Sequence, residues 1–363
     1  MKLLIVEDEA PAIQAYEDNI ESFNKTSEIK IIPIIVSTLN DAMNLLLNPI
    51  FDAAIVDLKL SDDKVELEGL TIIEEIRQNL VFPIFIVSGS LGQVDHLEEN
   101  PLFRKKSRDD DYKTILSEIV SIYNTGITKI LGKKGEIDKY LNKIFWEHLS
   151  NSMDLWIGDE KRSPIEKQKS LLRYTLLHIQ EYLELTEESN FEYYHPAEIY
   201  ITPAIKENLF TGDIVTNNGD GSSYIVLTPS CDLAQGKAKD ILLVSIESEK
   251  IGLLNEKTNI IKKNTATPEL ILDAETVLKA LINNSYSNKY HFIPKYKHLD
   301  AGLINFQKIN SIRIKDFNGN FTVVASVNSS FTKDIVARFS YYYSRQGSPD
   351  FDIKEIYDSL LIN

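Results

Sequence analysis

The stretch FDAAIVDLKLSDD, residues 51–63, decides the fold of the first part of the chain. Ala53 to Val56 form an apolar run with no polar interruption, and Asp57 ends it. A strand that is apolar at every position needs cover on both faces, which is the habit of parallel sheets. The carboxylate at its mouth either meets water or meets partners from elsewhere in the chain.

Three other runs have the same texture: KLLIV (2–6), KIIPIIV (30–36) and PIFIVS (83–88). A weaker one, PLFRK (101–105), is the only candidate for a fifth strand before the last helix of this region. Helical patterns alternate with them. One starts at Pro11, a favoured first-turn residue, and runs to Phe23. Others cover 40–47 and 69–80. The segment 109–123 is amphipathic with acids in its first turn. Strand and helix in alternation predict a doubly wound α/β sheet over residues 1–123. Between 89 and 100 the chain is acidic and contains glycine, with no firm helical pattern.

In an open parallel sheet, ligands bind beyond the carboxyl ends of the strands. There the first strand carries Glu7 and Asp8, the third Asp57, the fourth Ser88 and the fifth Lys105 and Lys106. Crowded carboxylates repel and raise one another's pKa. A divalent cation such as Mg2+, which takes carboxylate, water and phosphate oxygens, relieves the repulsion. A carboxylate is also a nucleophile toward phosphorus. The transferred group then needs metal, hydroxyl and cation around its oxygens.

These residues resemble the receiver domain of two-component response regulators. The matching motifs are LLIVEDEAPA, DAAIVDLKLSD, PIFIVSGS and FRKKS. The resemblance implies a flavodoxin-like five-stranded sheet, and a phosphoryl group accepted on Asp57 from a sensor histidine kinase or phosphotransfer protein. It also implies Mg2+ held by Glu7, Asp8, Asp57 and the backbone carbonyl of Lys59. Ser88 and Lys106 would contact the phosphoryl group, and Ser88 and Phe103 would act as the switch pair. The only catalysis implied is the receiver's own phosphorylation and dephosphorylation. The chain departs from the pattern in three places. Ser107 follows the lysine where proline is usual, and Lys105 competes with Lys106 for the lysine's role. The loop after Asp57, with Asp62 and Asp63, is long and acidic. The segment between Ser88 and Lys106 is short, which predicts a reduced fourth helix and puts the common receiver dimer in question.

Residues 124–195 read as a linker and helical connector. NTGITKILGKKG (124–135) has the glycines and basic residues of a linker. Two amphipathic helices follow. The first, 136–156, places Ile137, Tyr140, Leu141, Ile144, Phe145, His148 and Leu149 on one face. The second begins at Ser163-Pro164 with Glu166 completing a capping box, and runs to 188. Helices 136–188 can form a hairpin or a homodimerising element.

From 196 to 363 the texture changes to short strands and turns, an α+β or mostly-β output domain of unknown type with a small barrel among the options. Strands are expected in 211–233 and 240–247, a helix over 267–284, and a hairpin over 310–327 turning at Asn318-Gly319. The segment from Thr332 to Gly347 reads as helical. No helix-turn-helix, P-loop or dinucleotide signature is present. Cys231 and Asp232, with His195 or His291, could make a nucleophile–base pair or a metal site. The plainer reading is a small buried cysteine beside a capping aspartate. The run through 212–247 is weakly similar to the small barrel of MazF-type ribonuclease toxins. Tyr341 to Tyr343 with Arg338 and Arg345 could stack single-stranded bases, or could simply be core.

A net charge of −15 argues against nucleic-acid binding by the whole chain, although the second half is close to neutral and could bind locally. The single cysteine suits a reducing cytoplasm. No run reaches the length of a membrane span. The reading is a response regulator that relays a switch at Asp57 to an atypical output domain. The alternatives are a receiver-fold interaction module independent of phosphorylation, and a nuclease-like enzyme gated by the receiver.

Overall fold

The computed structural model describes residues 1–48, 50–60, 68–184, 193–263, 266–345 and 349–361. Two compact units divide the chain, residues 1–192 and 193–363.

The first unit opens with β1 (Lys2–Val6), α1 (Ala10–Thr26), β2 (Ile32–Val36), α2 (Leu39–Leu46) and β3 (Ala53–Val56). It continues with α3 (Glu68–Asn79), β4 (Ile84–Val87), β5 (Phe103–Lys106) and α4 (Tyr112–Asn124). All five strands are parallel, in the order β2-β1-β3-β4-β5. The apolar runs are continuous because each face of the sheet has its own core. Leu4, Val6, Ala54, Val56, Ile84 and Ile86 pack toward α2 and α3. Leu3, Ile5, Ala53, Ile55, Phe85 and Val87 pack toward α1 and α4. Side chains alternate across a strand, so both sets must be apolar.

Local chemistry fixes the helix starts. The Thr38 hydroxyl accepts from the Asp41 N–H, and Asp111 accepts from Lys113 and Thr114. Between β4 and β5 the chain forms only a 3-10 turn, Leu91–Val94, as its lack of helical periodicity suggested. Asp62 and Asp63 lie outside the described residues.

The expected linker after α4 is in part a short helix, α5 (Ile127–Leu131). It starts at Gly126, whose φ of 79° suits glycine. It is tied back to the sheet by the buried Thr128, whose hydroxyl donates to Asp52 Oδ1 at 3.3 Å. Next come α6 (Glu136–Ile144), a π turn over Phe145–Leu149, and α7 (Ser150–Ile157). The π turn breaks the single face expected for 136–156. Ile144 is buried, whereas Leu141 and Phe145 are exposed. The capping box holds as read: Ser163 and Glu166 exchange bonds at the start of α8 (Pro164–Leu183). The expected continuation over 185–188 lies outside the described residues. Rings join these helices. Tyr140 stacks on Tyr182, Trp156 meets Tyr174 edge-on, and His148 lies against His178.

The second unit contains β6 (Tyr200–Ile201), β7 (Asp213–Asn217), β8 (Ser223–Val226), α9 (Ser230–Ala234) and β9 (Asp240–Ser248). Then come α10 (Gly252–Lys262), α11 (Pro268–Ile282), β10 (Tyr290–Ile293) and β11 (Gly302–Arg313). The last elements are α12 (Ile314–Phe317), β12 (Phe321–Val327), α13 (Ser329–Ser344) and α14 (Ile353–Leu361). The seven strands form an antiparallel sheet, ordered β10-β11-β9-β8-β7-β12-β6. Irregular register in β11 between Ile304 and Ile309, and in β12 between Val323 and Ala325, curls it. Among the described residues β10 and β6 remain edges, so the sheet does not close into a barrel.

The hairpin expected over 310–327 is not formed. β11 pairs with β9 and β10, β12 pairs with β7 and β6, and α12 separates them. Gly319, with φ of 86°, lets the chain turn after that helix instead. Of the three tyrosines of α13 only Tyr342 joins the core, while Tyr341 and Tyr343 are exposed. Tyr342 packs on Phe306, and the Tyr343 hydroxyl donates to the Phe306 carbonyl at 2.6 Å. Arg338 is spent on the carbonyls of Asn284 and Tyr290. No helix of the described residues is long and apolar enough to cross a membrane.

Candidate functional site

The parallel sheet delivers Glu7, Asp8, Asp57 and Ser88 to one rim, directly beyond the ends of β1, β3 and β4. Glu7, Asp57 and Ser88 are buried, at 1%, 3% and 3% exposure. One carboxylate oxygen from each of Glu7, Asp8 and Asp57 lies within 4.8 Å of the others.

Burial pushes the Glu7 carboxyl up to about 7, helped by the charge of Asp57 and opposed by the Glu9 N–H and Arg108. Burial likewise raises Asp8. Crowded, desolvated carboxylates of this kind gain from a hard cation. Asp57 Oδ1 is buried and has no hydrogen-bond partner, a ligand atom without a ligand. The donor set therefore fits Mg2+. Lys59 contributes its N–H to Asp57 Oδ2 at a long 3.4 Å.

The cation that meets Asp57 is not the expected one. Lys106 turns to the α4 side of β5 and pairs with Glu118 at 2.6 Å. Lys105 points to the other side, where its ammonium donates to the carbonyls of Val94 and Leu97. Arg108 occupies the site instead. Its Nη2 lies 2.9 Å from Asp57 Oδ2 and 3.2 Å from Glu7 Oε1, and its Nη1 lies 2.6 Å from Glu9. Burial alone would lower its pKa, but Glu9, Glu7 and Asp57 outweigh that and raise it.

The turn that carries Arg108 is fixed locally. Ser107, where the resemblance implies proline, keeps an N–H and donates it to Asp110 at 2.9 Å. The signal for Arg108 in the sequence was a further basic residue two places after Lys106, the fourth in 104–108. Strand alternation carries no information on which of three neighbouring cations folds inward. Phe103, the expected switch aromatic, is buried in the α2/α3 core under the guanidinium of Arg77.

The residues singled out in the second unit are not brought together. Cys231 is exposed, with Sγ 3.7 Å from Asp232 Oδ1. His195 caps a 3-10 turn, its Nδ1 accepting from the Ala197 N–H. His291 is buried in β10, with Asp334 as its charged neighbour. Cys231 and His195 have local partners, the buried His291 Nδ1 has no hydrogen bond, and no nucleophile–base pair or metal cluster forms among them in the described residues.

The fold and rim of the first unit define a class: a doubly wound parallel sheet with an acidic, hydroxyl-bearing carboxyl edge. No protein-family model matches the chain, and no curated protein matches it. Solved structures similar to its N-terminal third are receiver domains. A CheY-like response regulator receiver domain from Methylobacillus flagellatus is 23% identical and matches 33% of this chain and 98% of its own, with a TM-score of 0.26. The receiver domain of a sensor histidine kinase from Pseudomonas aeruginosa, with magnesium in its active-site cleft, is 18% identical. It covers 34% of this chain and 95% of its own, with a TM-score of 0.27. A DNA-binding response regulator of the LuxR family from Staphylococcus aureus is 18% identical over 33% of this chain and 97% of its own, with a TM-score of 0.27.

Proposed function

We propose that the first unit is a phosphoryl-accepting receiver with Asp57 as acceptor, and that the second unit is its output. The observation that carries this is the rim of buried Glu7, Asp57 and Ser88 with the more exposed Asp8 at the carboxyl edge of a β2-β1-β3-β4-β5 sheet. In the transfer, an Asp57 carboxylate oxygen forms a bond to phosphorus. The bond from phosphorus to the donor breaks, and its electron pair leaves with the donor, a histidine imidazole or the acetate of acetyl phosphate. Glu7, Asp8, Asp57 and the Lys59 carbonyl would hold Mg2+, which when bound offsets charge on the phosphoryl oxygens. Ser88 offers its hydroxyl to one of those oxygens. A sensor histidine kinase or phosphotransfer protein is the donor that this chemistry calls for. A reducing cytoplasm suits the exposed, unpaired Cys231.

The test is intact mass after incubation with acetyl phosphate and Mg2+. The wild type should gain the mass of one phosphoryl group. Asp57→Ala, and wild type treated with a chelator, should not. An unmodified wild type would leave a receiver-fold interaction module as the better reading.

A further inference from the structure

The acceptor is closed as the structure shows it. Asp57 Oδ1 is shielded from solvent, and Oδ2 is bonded to Arg108. Arg108 bonds two of the three carboxylates that would take a cation, Glu7 and Asp57, and is anchored outside them by the more exposed Glu9. Arg108 Nη2 sits within 3.2 Å of both Glu7 Oε1 and Asp57 Oδ2, so a divalent ion among the three carboxylates would meet the guanidinium charge at close range.

We infer that Arg108 is a latch that competes with the metal for Glu7 and Asp57, so that metal entry, and with it phosphoryl acceptance, requires the arginine to swing out. The inference rests on the receiver reading, but its test reads metal affinity without any transfer of phosphate. Two features bias the closed state toward release. Arg108 Nε is buried without a partner, and so is Asp57 Oδ1. Outward rotation lets solvent reach the first and a metal reach the second. The turn at 107–111 is held by its own bonds from Ser107 to Asp110 and from Asp111 to Thr114, so the movement falls on the Arg108 side chain.

The probe is Mn2+ alone, titrated against the full chain with free Mn2+ read by electron paramagnetic resonance. Arg108→Gln should bind Mn2+ about tenfold more tightly, since a competing charge leaves a partly desolvated site. That result alone would also follow from the field of a nearby cation. Glu9→Gln separates the two, because Glu9 is 56% exposed and anchors the latch without joining the metal triad. Loss of a negative charge beside the site would by field alone weaken Mn2+ binding. A loosened latch strengthens it, by about threefold for one charge-assisted bond partly exposed to solvent. Tighter binding in both variants supports the latch. Weaker or unchanged binding in Glu9→Gln overturns it, as does unchanged binding in Arg108→Gln. A wild type that binds Mn2+ in this way yet gains no phosphoryl mass would refute the receiver reading and leave the latch standing.

Discussion

Gly69→Ala sets two general effects against each other in the first turn of α3. Helix propensity alone favours alanine there by about 1 kcal/mol. The structure opposes it. A Cβ at Gly69 would stand 1.9 Å from the carbonyl oxygen of Asp57 and 2.8 Å from the Cα of Leu58. Both atoms are backbone, so no side chain can rotate away. The end of β3 and the start of α3 would have to part until the first contact exceeds 3.0 Å, and the Gly69 N–H bond to the Leu58 carbonyl, already 3.2 Å, would stretch. Overpacking of this kind costs about 3 kcal/mol, the upper end of its usual range. The net loss is about 2 kcal/mol, or roughly 4–8 °C in Tm for a unit of this size. The opening free energy of the β1 and β3 amides, read by native-state hydrogen exchange, reports the sheet that Gly69 borders. A Gly69→Ala chain as stable as wild type would refute the reasoning, and greater stability would mean that propensity wins.

Two further outcomes concern the second unit. Burial pushes His291 from its ordinary 6.5 down to about 4, against the attraction of Asp334. The unfolded chain then takes up a proton first, so this stabilisation is whole above pH 6.5 and is lost as pH falls toward 4, by roughly 3 kcal/mol; tyrosine near-ultraviolet circular dichroism should show this slope in wild type and lose it in His291→Phe. Ser326→Ala removes the hydroxyl that donates to the buried Asp213 at 2.6 Å and should cost about 1–3 kcal/mol, as a lower urea midpoint at unchanged m; a change under about 0.5 kcal/mol would mean that Asp213 finds another donor.

The parallel sheet was legible because a doubly covered strand must be apolar along its buried length, and β3, β4 and β1 from Leu3 onward are. The acidic rim was legible for the same reason: charge appears where each run stops. What was hidden depended on direction. Lys105, Lys106 and Arg108 are equal as cations, and only the turn at 107–111 decides that Arg108 reaches Asp57 while Lys106 meets Glu118. The second sheet was harder because its pairings are distant. Asn318-Gly319 has the composition of a hairpin turn, but β12 found a better partner in β7, about a hundred residues earlier. His195, His291 and Cys231 were grouped by residue type alone, and the fold places them apart: His195 at a cap, His291 buried in β10 and Cys231 exposed.

The helices after the five-stranded parallel sheet carry a consequence for how the first unit opens. Among the described residues α7 and α8 bury no side chain, and α8 is held mainly by Tyr174, His178 and Tyr182 against Trp156, His148 and Tyr140. Ring contacts of this sort contribute about 0.5–1.5 kcal/mol each beyond the area they cover. Such a helix pair forms a cooperative unit of its own, with less to lose on opening than the five strands beside it. Its amides should exchange with solvent deuterium while those of β1 and β3 are still protected.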